Sequence, residues 1–391
     1  MPVHNRIAAF ADDLTAWRRD LHAHPELGLE EHRTAAIVAE KLASWGIAVH
    51  TGLAVTGVVG SLKVGTSNRA IAIRADMDAL PMEEANGFAH RSTTPGRMHA
   101  CGHDGHTTML LGAARYLAET KNFDGTVHFV FQPAEEGAGG GRMMVEEGLF
   151  DLFPADAVYG AHNDTSLPVG EMYVVAGPNS AASDRFTIHI DGRGGHAARP
   201  HMTIDPITIG AQIVMAYQTL ISRRVDPADA AVLSITQFHA GSAGNVIPET
   251  AFINGTVRTM KPETQDLLEA QMGAIAKATA ESQGAAVRFE YARGYPIVMN
   301  NPDATERAAA AAARLLDPAR VHREKPLTLG GEDFAYMAQK VPGCFVRIGQ
   351  RGADGVGAVP VHNPKYDFND AILPLGASYW ATLVEQELAR S

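Results

Sequence analysis

The segment at residues 99–106, His-Ala-Cys-Gly-His-Asp-Gly-His, concentrates side chains that bind metals. In an extended chain, residues i and i+2 point to the same side, so Cys101 and His103 could hold one metal centre together. The glycines on either side of His103 would let the backbone bend closely around it. Thiolate and imidazole beside carboxylates suit zinc, nickel, cobalt, manganese or iron better than magnesium or calcium. We therefore predict a transition-metal site in this segment.

The two cysteines of the chain have different surroundings in the sequence. Cys344 lies in an apolar, strand-like run, where a free cysteine is commonly buried. Cys101 has polar neighbours instead. A redox or nucleophilic role, or an inert core thiol, is the alternative to metal binding by Cys101. Two cysteines in 391 residues do not make a disulfide framework.

Acidic residues and a histidine follow three apolar runs that are predicted to be strands. The runs and the residues after them are 70–75 with Asp76 and Asp78, 125–131 with Glu135 and Glu136, and 157–161 with His162. Because ligands bind outside the carboxyl ends of the strands in an open α/β sheet, we expect these side chains to converge on one sheet edge. Since Glu135 and Glu136 are adjacent, one could bind a metal while the other faces the bound water. A solvated surface pair is the alternative.

The remaining pattern predicts an α/β protein with an inserted domain. Strands alternate with helical segments in the first part of the chain, which indicates a sheet covered by helices. Residues 65–68, Gly-Thr-Ser-Asn, separate two apolar runs and predict a hairpin. Between residues 183 and 294 the order changes to β-α-β-β-α-β, the ferredoxin-like order. We therefore predict a discontinuous metal-binding catalytic domain at residues 1–180 and 295–391, and an inserted lid or dimerisation domain at residues 181–294.

Composition and charge exclude several classes of protein. The chain is 46% hydrophobic and 20% charged, as globular proteins are, and its length suggests two domains. The net charge is -11 and the Lys and Arg residues form no cluster, so we expect no nucleic-acid partner. The sequence has no apolar stretch of about 18 residues and no apolar leader at residues 1–14. We therefore expect a cytoplasmic protein that does not cross a membrane.

Several motifs, in order along nearly the whole chain, resemble one known family. It is the metallopeptidase and amidohydrolase family that contains hippurate hydrolase, bacterial N-acyl-amino-acid amidohydrolases and the plant hydrolases of indoleacetyl-amino acids. The motifs lie at residues 21–27, 74–81, 99–106, 132–137, 194–198, 245–248, 330–334 and 361–370. Their combination is very specific, whereas the His-Pro-Glu of residues 24–26 alone would prove little.

The resemblance implies two divalent metal ions per subunit, with one ligand shared between them. Manganese, zinc, nickel and cobalt all remain open. The metal ligands that it implies are Cys101, His103, Glu136, His162 and His362. It assigns Glu135 as general base and acid. His362 depends on this comparison, because a lone histidine in a loop is more often structural.

The resemblance also implies substrate contacts from the inserted domain. His196 and Asn245 would reach the carbonyl or the carboxylate of the substrate, and Arg258 is a further candidate for the carboxylate. Related peptidases carry a histidine and a bridging aspartate in the first strand-end motif, where this chain has Asp76 and Asp78. We therefore expect both aspartates to support the metal ligands rather than to bind the ions.

The function implied by the resemblance is metal-dependent hydrolysis of the amide bond of N-acyl amino acids by a metal-activated water. A dipeptidase or carboxypeptidase with the same site is the alternative, because the motifs specify amide hydrolysis but not the acyl group. A catalytically inactive ligand-binding homologue is a further alternative, although neither the base nor a ligand is missing. The expected partner is a small-molecule substrate. An exposed strand or helix edge of the inserted domain also predicts a homodimer or a lid contact.

Overall fold

The computed structural model describes residues 3–390, which divide into two compact units. Unit 1 comprises residues 3–179, 299–326 and 333–390, and unit 2 comprises residues 180–298 and 327–332. The sequence analysis assigns the short second segment of unit 2 to the catalytic domain. In the structure it groups with unit 2, where the N–H of Ala181 donates to the carbonyl of Gly330 (3.0 Å).

Eleven α-helices and sixteen β-strands lie between residues 3 and 390. The helices are α1 (Asn5–Ala8), α2 (Ala11–Ala23), α3 (His32–Ser44), α4 (His103–Thr120), α5 (Gly140–Glu146), α6 (Leu149–Leu152), α7 (Pro206–Arg223), α8 (Pro262–Ser282), α9 (Pro302–Leu315), α10 (Phe334–Ala338) and α11 (Leu373–Glu387). The strands are β1 (Ala48–Leu53), β2 (Gly57–Val64), β3 (Ala70–Asp76), β4 (Gly125–Gln132), β5 (Ala157–Pro168), β6 (Met172–Tyr173), β7 (Gly177–Ser180), β8 (Ala182–Asp191), β9 (Gly195–His196), β10 (Ala231–Ala240), β11 (Val246–Ile247), β12 (Thr250–Thr259), β13 (Ala286–Tyr295), β14 (Val298–Asn300), β15 (Val321–His322) and β16 (Gly343–Arg351). No helix in this range is both long enough and apolar enough to cross a membrane.

Unit 1 is built on an eight-stranded sheet with the order β1-β2-β4-β3-β5-β16-β6-β15. The central strands β4, β3, β5 and β16 run parallel. They are buried along most of their length, as apolar parallel strands covered on both faces are. Helix α4 is also almost completely buried and packs against α11, α2 and β3. The α/β architecture predicted from the sequence is therefore confirmed.

The predicted hairpin between β2 and β3 is wrong. The chain does reverse its direction at residues 65–68, but β4 lies between the two strands. β4 pairs antiparallel with β2 and parallel with β3. Turn residues indicate only that the chain reverses. β4 comes later in the sequence and is nearly completely buried. Its burial decides that it, and not β2, takes the central position beside β3.

Unit 2 contains a four-stranded antiparallel sheet with the order β10-β12-β8-β13 and the helices α7 and α8. Its chain order β8-α7-β10-β12-α8-β13 is the predicted ferredoxin-like order. Strand β12 alternates between buried and more exposed residues, so one face of the sheet packs on the core of the unit. That core includes Ile188, Ile253 and Leu268. Strand β10 lies at the edge of the sheet.

Candidate metal centre

Helix α4 begins at His103, and this start brings Cys101 and His103 together. Gly102 precedes the helix with a φ of 97°, and a Cβ atom at this position would lie 2.3 Å from Oδ1 of Asn163. The segment is therefore a sharp turn into a helix, and the extended geometry predicted for it is wrong. The donor atoms of Cys101 and His103 nevertheless lie within 4.8 Å of each other and of a donor atom of His162.

His162 contributes the third donor of this group from inside β5. Its Nδ1 is 2.7 Å from the carbonyl oxygen of Asn163, and its Nε2 is 3.3 Å from Sγ of Cys101. The sequence predicted that this strand ends before His162. In the structure it continues beyond His162, because its later residues also pair with β16. Burial, and then the charge of Arg347, hold the pKa of His162 well below its ordinary value. The imidazole is therefore neutral, which is the form that binds metals.

The ring of His103 is oriented by a carboxylate and has one buried nitrogen without a hydrogen bond. Its Nδ1 lies 3.1 Å from Oδ1 of Asp78, an arrangement that metal-binding histidines commonly have. Its Nε2 is buried and makes no hydrogen bond to any residue in the described range, and Oδ2 of Asp76 is 3.7 Å away. Buried polar atoms are nearly always satisfied. This nitrogen therefore fits a metal ion that would take the place of the hydrogen bond.

Asp76 and His106 support the donors through hydrogen bonds. Oδ1 of Asp76 is 2.6 Å from Nδ1 of His106, and Oδ2 accepts from Arg74 at 2.7 Å. Burial alone would raise the pKa of Asp76, but the charges of His103 and Arg74 hold it well below its usual range. A donor atom of His106 also comes within 4.8 Å of Asp76 and His103. Because Nε2 of His106 is 2.8 Å from Oδ1 of Asn163, both ring nitrogens are engaged, and we assign His106 to the support.

A strained turn after β4 carries the two adjacent glutamates. Ala134 has a φ of 54°, which is unusual for a residue with a side chain, and its N–H donates to the carboxylate of Glu31 (2.8 Å). The N–H of Glu136 donates to Oδ2 of Asp78 (2.9 Å), so this aspartate holds both the turn and the ring of His103. Backbone strain of this kind persists where the surrounding contacts fix it, and it is common at functional sites.

Glu136 and His362 form a second group of donors. Oε1 of Glu136 is 3.1 Å from Nε2 of His362, and donor atoms of both lie within 4.8 Å of Sγ of Cys101. The hydrogen bond to Glu136 raises the pKa of His362. His362 has a φ of 62°, and its N–H donates to the carbonyl of Ala100 (2.7 Å), which ties its loop to the cysteine segment. Cys101 belongs to both groups, so the two groups adjoin each other.

Glu135 reaches the same donors from the neighbouring position in the turn. Its side chain is largely buried, and a carboxylate oxygen lies within 4.8 Å of donor atoms of His103 and Glu136. The structure thus brings both glutamates to one place, as the strand-end argument expects. Their separate roles, one as ligand and one as base, stay a prediction.

A buried arginine that the sequence analysis missed links the strand ends beneath these donors. Arg74 is fully buried in β3, its Nε donates to Oε1 of Gln132 (2.8 Å), and a terminal nitrogen donates to Oδ1 of Asp333 (3.0 Å). The same guanidinium binds Asp76. Because a buried charge must be paired, an arginine in an otherwise apolar strand is a signal that could have revealed this network.

A second buried network fixes the first turn of α4. Oδ2 of Asp104 lies 2.8 Å from Nδ1 of His22 and 3.1 Å from Nε of Arg18. Burial would raise the pKa of Asp104, but Arg18 and His22 hold it well below its usual range. Burial would lower the pKa of His22, but Asp104 and Glu84 raise it to about 9. The sequence analysis missed this network as well, since nothing in the sequence pairs α2 with α4.

The residues expected to contact substrate from the inserted domain lie in unit 2. Strands β9 and β11 pair, and the N–H of Ala197 donates to the carbonyl of Asn245 (3.0 Å), so His196 and Asn245 are neighbours. Arg258 lies half-buried in β12, and its guanidinium donates to backbone carbonyls of the same unit. Contact of these three residues with substrate stays a prediction.

The chain is similar to proteins of one family over most of its length. A model of peptidase family M20/M25/M40 matches residues 72–386. Hippurate hydrolase from Campylobacter jejuni is 39% identical over 369 residues, which cover 94% of each chain. N-acyl-L-amino acid amidohydrolase from Geobacillus stearothermophilus is 46% identical over 297 residues, which cover 75% of this chain and 80% of that one. The crystal structure of the Bacillus subtilis YXEP protein, a dinuclear metal-binding peptidase from the M20 family, matches with a TM-score of 0.85 and 36% identity, and covers 97% of this chain and 99% of that one.

Proposed function

This chain belongs to peptidase family M20/M25/M40 and is a metal-dependent amidohydrolase, and we propose that it cleaves the amide bond of N-acyl amino acids. The observation that carries the proposal is the convergence of two donor groups that share Cys101, with the carboxylate of Glu135 beside them. The relatives that are named for the hydrolysis of hippurate and of N-acyl-L-amino acids support the choice of substrate class.

Two divalent ions would occupy this centre. The residues that would hold them are Cys101, His103, Glu136, His162 and His362. One thiolate, three imidazoles and a carboxylate fit zinc, cobalt, nickel or manganese better than magnesium or calcium. The buried Nε2 of His103, which has no hydrogen-bond partner within residues 3–390, supports this assignment. When bound, such ions lower the pKa of a water and polarise the amide carbonyl.

Glu135 carries out the proton transfers in this proposal. Its carboxylate takes a proton from the attacking water and later gives it to the nitrogen of the leaving amino acid. One residue can do both, because the nitrogen needs the proton only as the C–N bond breaks. His196 donates a hydrogen bond to the carbonyl oxygen as negative charge develops there. Asn245 and Arg258 bind the carboxylate of the substrate.

We expect turnover to require a transition metal and to favour substrates whose amino group is acylated. Protein stripped with a chelator should not release free amino acid from hippurate or from N-acetyl amino acids. Addition of manganese, zinc, nickel or cobalt should restore release, because the donor atoms suit these ions. Dipeptides with a free amino group serve as the matched comparison. Faster cleavage of the dipeptides would identify a peptidase instead, and no cleavage of any compound by metal-loaded protein would contradict the proposal.

We also propose that unit 2 forms a homodimer contact through the outer side of β10. This strand is one of the two edge strands of its sheet, and much of it is exposed, including Phe238 and Val232. An exposed apolar edge strand is a surface ready to pair with another chain. Light scattering should therefore give twice the mass of one chain, and Phe238→Lys should lower it. A monomer at assay concentration would contradict this proposal.

The lid role of unit 2 and a cytoplasmic location also stay predictions.

A further inference from the structure

Arg347 is a half-buried cation near the centre, and it has no acidic partner within residues 3–390. It lies in β16, and its guanidinium stands over the ring of Phe345, with its Cζ 5.4 Å from the ring centroid. Its side chain makes no hydrogen bond or ion pair in the part of the chain that the structure describes. Keeping a charge partly out of water without a counter-ion is costly. A guanidinium in this state is therefore suited to an anion that arrives from outside.

The register of the sheet places Arg347 beside the candidate ligand His162. Strands β16 and β5 are parallel, with Arg347 directly opposite His162, so both side chains leave the same face of the sheet. On the other side, Arg347 is opposite Tyr173 of β6. The shared register therefore indicates that the guanidinium faces the centre.

Lys325 adds a second positive charge near Arg347. Its Nζ donates to the backbone carbonyl of Asn179 (2.6 Å). Burial, and then the charge of Arg347, lower the pKa of Lys325 to about 8. Asp164 is the acidic group nearby, but its Oδ1 accepts hydrogen bonds from the N–H and hydroxyl of Ser166 (2.8 and 2.6 Å). Asp164 makes no ion pair with Arg347 among the described residues, so it does not pair the charge of this guanidinium.

We propose that Arg347, assisted by Lys325, binds a second carboxylate of the substrate, so that the preferred substrates are N-acyl amino acids with two carboxylates. The inference rests on the proposed function, which requires only the one carboxylate of the amino acid. A guanidinium matches a carboxylate with two parallel hydrogen bonds, which give direction as well as charge. The second carboxylate belongs either to the acyl group or to the amino-acid side chain.

Two pairs of compounds separate these sources. N-succinyl-L-alanine and N-butyryl-L-alanine differ by a carboxylate on the acyl group, and N-acetyl-L-glutamate and N-acetyl-L-glutamine differ by one on the side chain. The metal-loaded protein should have the higher kcat/KM for the charged member of one pair. In Arg347→Met the ratio of kcat/KM between charged and neutral members should fall roughly tenfold or more, since a charge-assisted hydrogen bond is lost. Arg347→Lys should recover part of the ratio.

The exposed Arg351 at the end of the same strand provides the matched control, and Arg351→Met should keep the parent ratio. A readout independent of turnover is calorimetric binding of the same pairs to Glu135→Gln protein, with and without Arg347→Met. If the parent does not favour the charged member of either pair, or if its ratio survives Arg347→Met, the inference is overturned. Turnover with an unchanged ratio leaves the proposed function intact. Absence of all turnover would contradict the proposed function. In that case the ratio of binding affinities between charged and neutral compounds, with and without Arg347→Met, tests the inference.

Discussion

Replacing Glu135 by glutamine is expected to lower kcat by roughly 10²- to 10⁴-fold, while the metal content stays that of the parent protein. Glutamine keeps the size of the side chain but cannot accept a proton from water. The structure places the Glu135 carboxylate beside His103 and Glu136, so a side chain of equal size should leave these donors in place. The measurements are metal stoichiometry by elemental analysis and kcat on any N-acyl amino acid that the parent hydrolyses.

Glu136→Gln is the matched variant, with the same chemical change one residue further along the turn. We expect it to lose affinity for at least one ion, because the Glu136 carboxylate lies 3.1 Å from Nε2 of His362 and also near Sγ of Cys101. Loss of a negative charge that offsets the cations weakens ligation directly. If Glu135→Gln lost metal and Glu136→Gln kept it, the two roles would be exchanged. If neither change affected turnover, the site would be misplaced.

Cys101→Ser is expected to weaken metal binding at least roughly tenfold, since even groups that only orient a ligand contribute 10- to 100-fold. The thiolate is the softest donor of the centre, and Sγ of Cys101 belongs to both donor groups. Burial, and then the negative charge of Glu136, raise the pKa of this thiol, so metal binding must displace a proton. Metal affinity should therefore fall as the pH falls. Metal content after dialysis against a chelator is the measurement.

Cys344→Ser is the control for loss of a buried sulfur. Cys344 is fully buried in β16, and none of the donor groups within residues 3–390 includes it. A hydroxyl in this apolar position should lower the free energy of unfolding by about 1–3 kcal/mol without removing metal. Thermal unfolding and metal content together separate the two effects. Equal metal content in both variants and the parent would count against Cys101 as a ligand.

The sequence predicts the fold class and the order of elements better than it predicts strand pairing. Long apolar runs and helical periodicity identify the strands of unit 1 and the β-α-β-β-α-β order of unit 2, because those patterns are local. The pairing of β2 and β3 with β4 is not local. This pairing follows from the packing of the whole sheet. A turn pattern at residues 65–68 does not indicate which strands will pair.

Residue type and position identified most of the candidate donors, and His362 was identified only through the family resemblance, whereas the groups that hold the donors were not predicted. Cys101 and His103 do meet, although through the helix start at Gly102 rather than through an extended chain. The supporting contacts of Arg74 and Asp104 depend on partners far away in the sequence. Arg347 is an ordinary strand residue in the sequence, and only the register of β16 against β5 places it beside His162.

The five candidate donors come from four separate segments: the turn that leads into α4, the turn after β4, strand β5 and the loop that carries His362. An unfolded chain cannot present them together, so ion binding and folding are thermodynamically linked. Free metal at 100 times its dissociation constant would add about 2.7 kcal/mol to the free energy of unfolding. That is a large share of the margin by which a typical protein is stable. The metal supply of the cell would then regulate how much of this enzyme escapes proteolysis, in addition to how fast each molecule works.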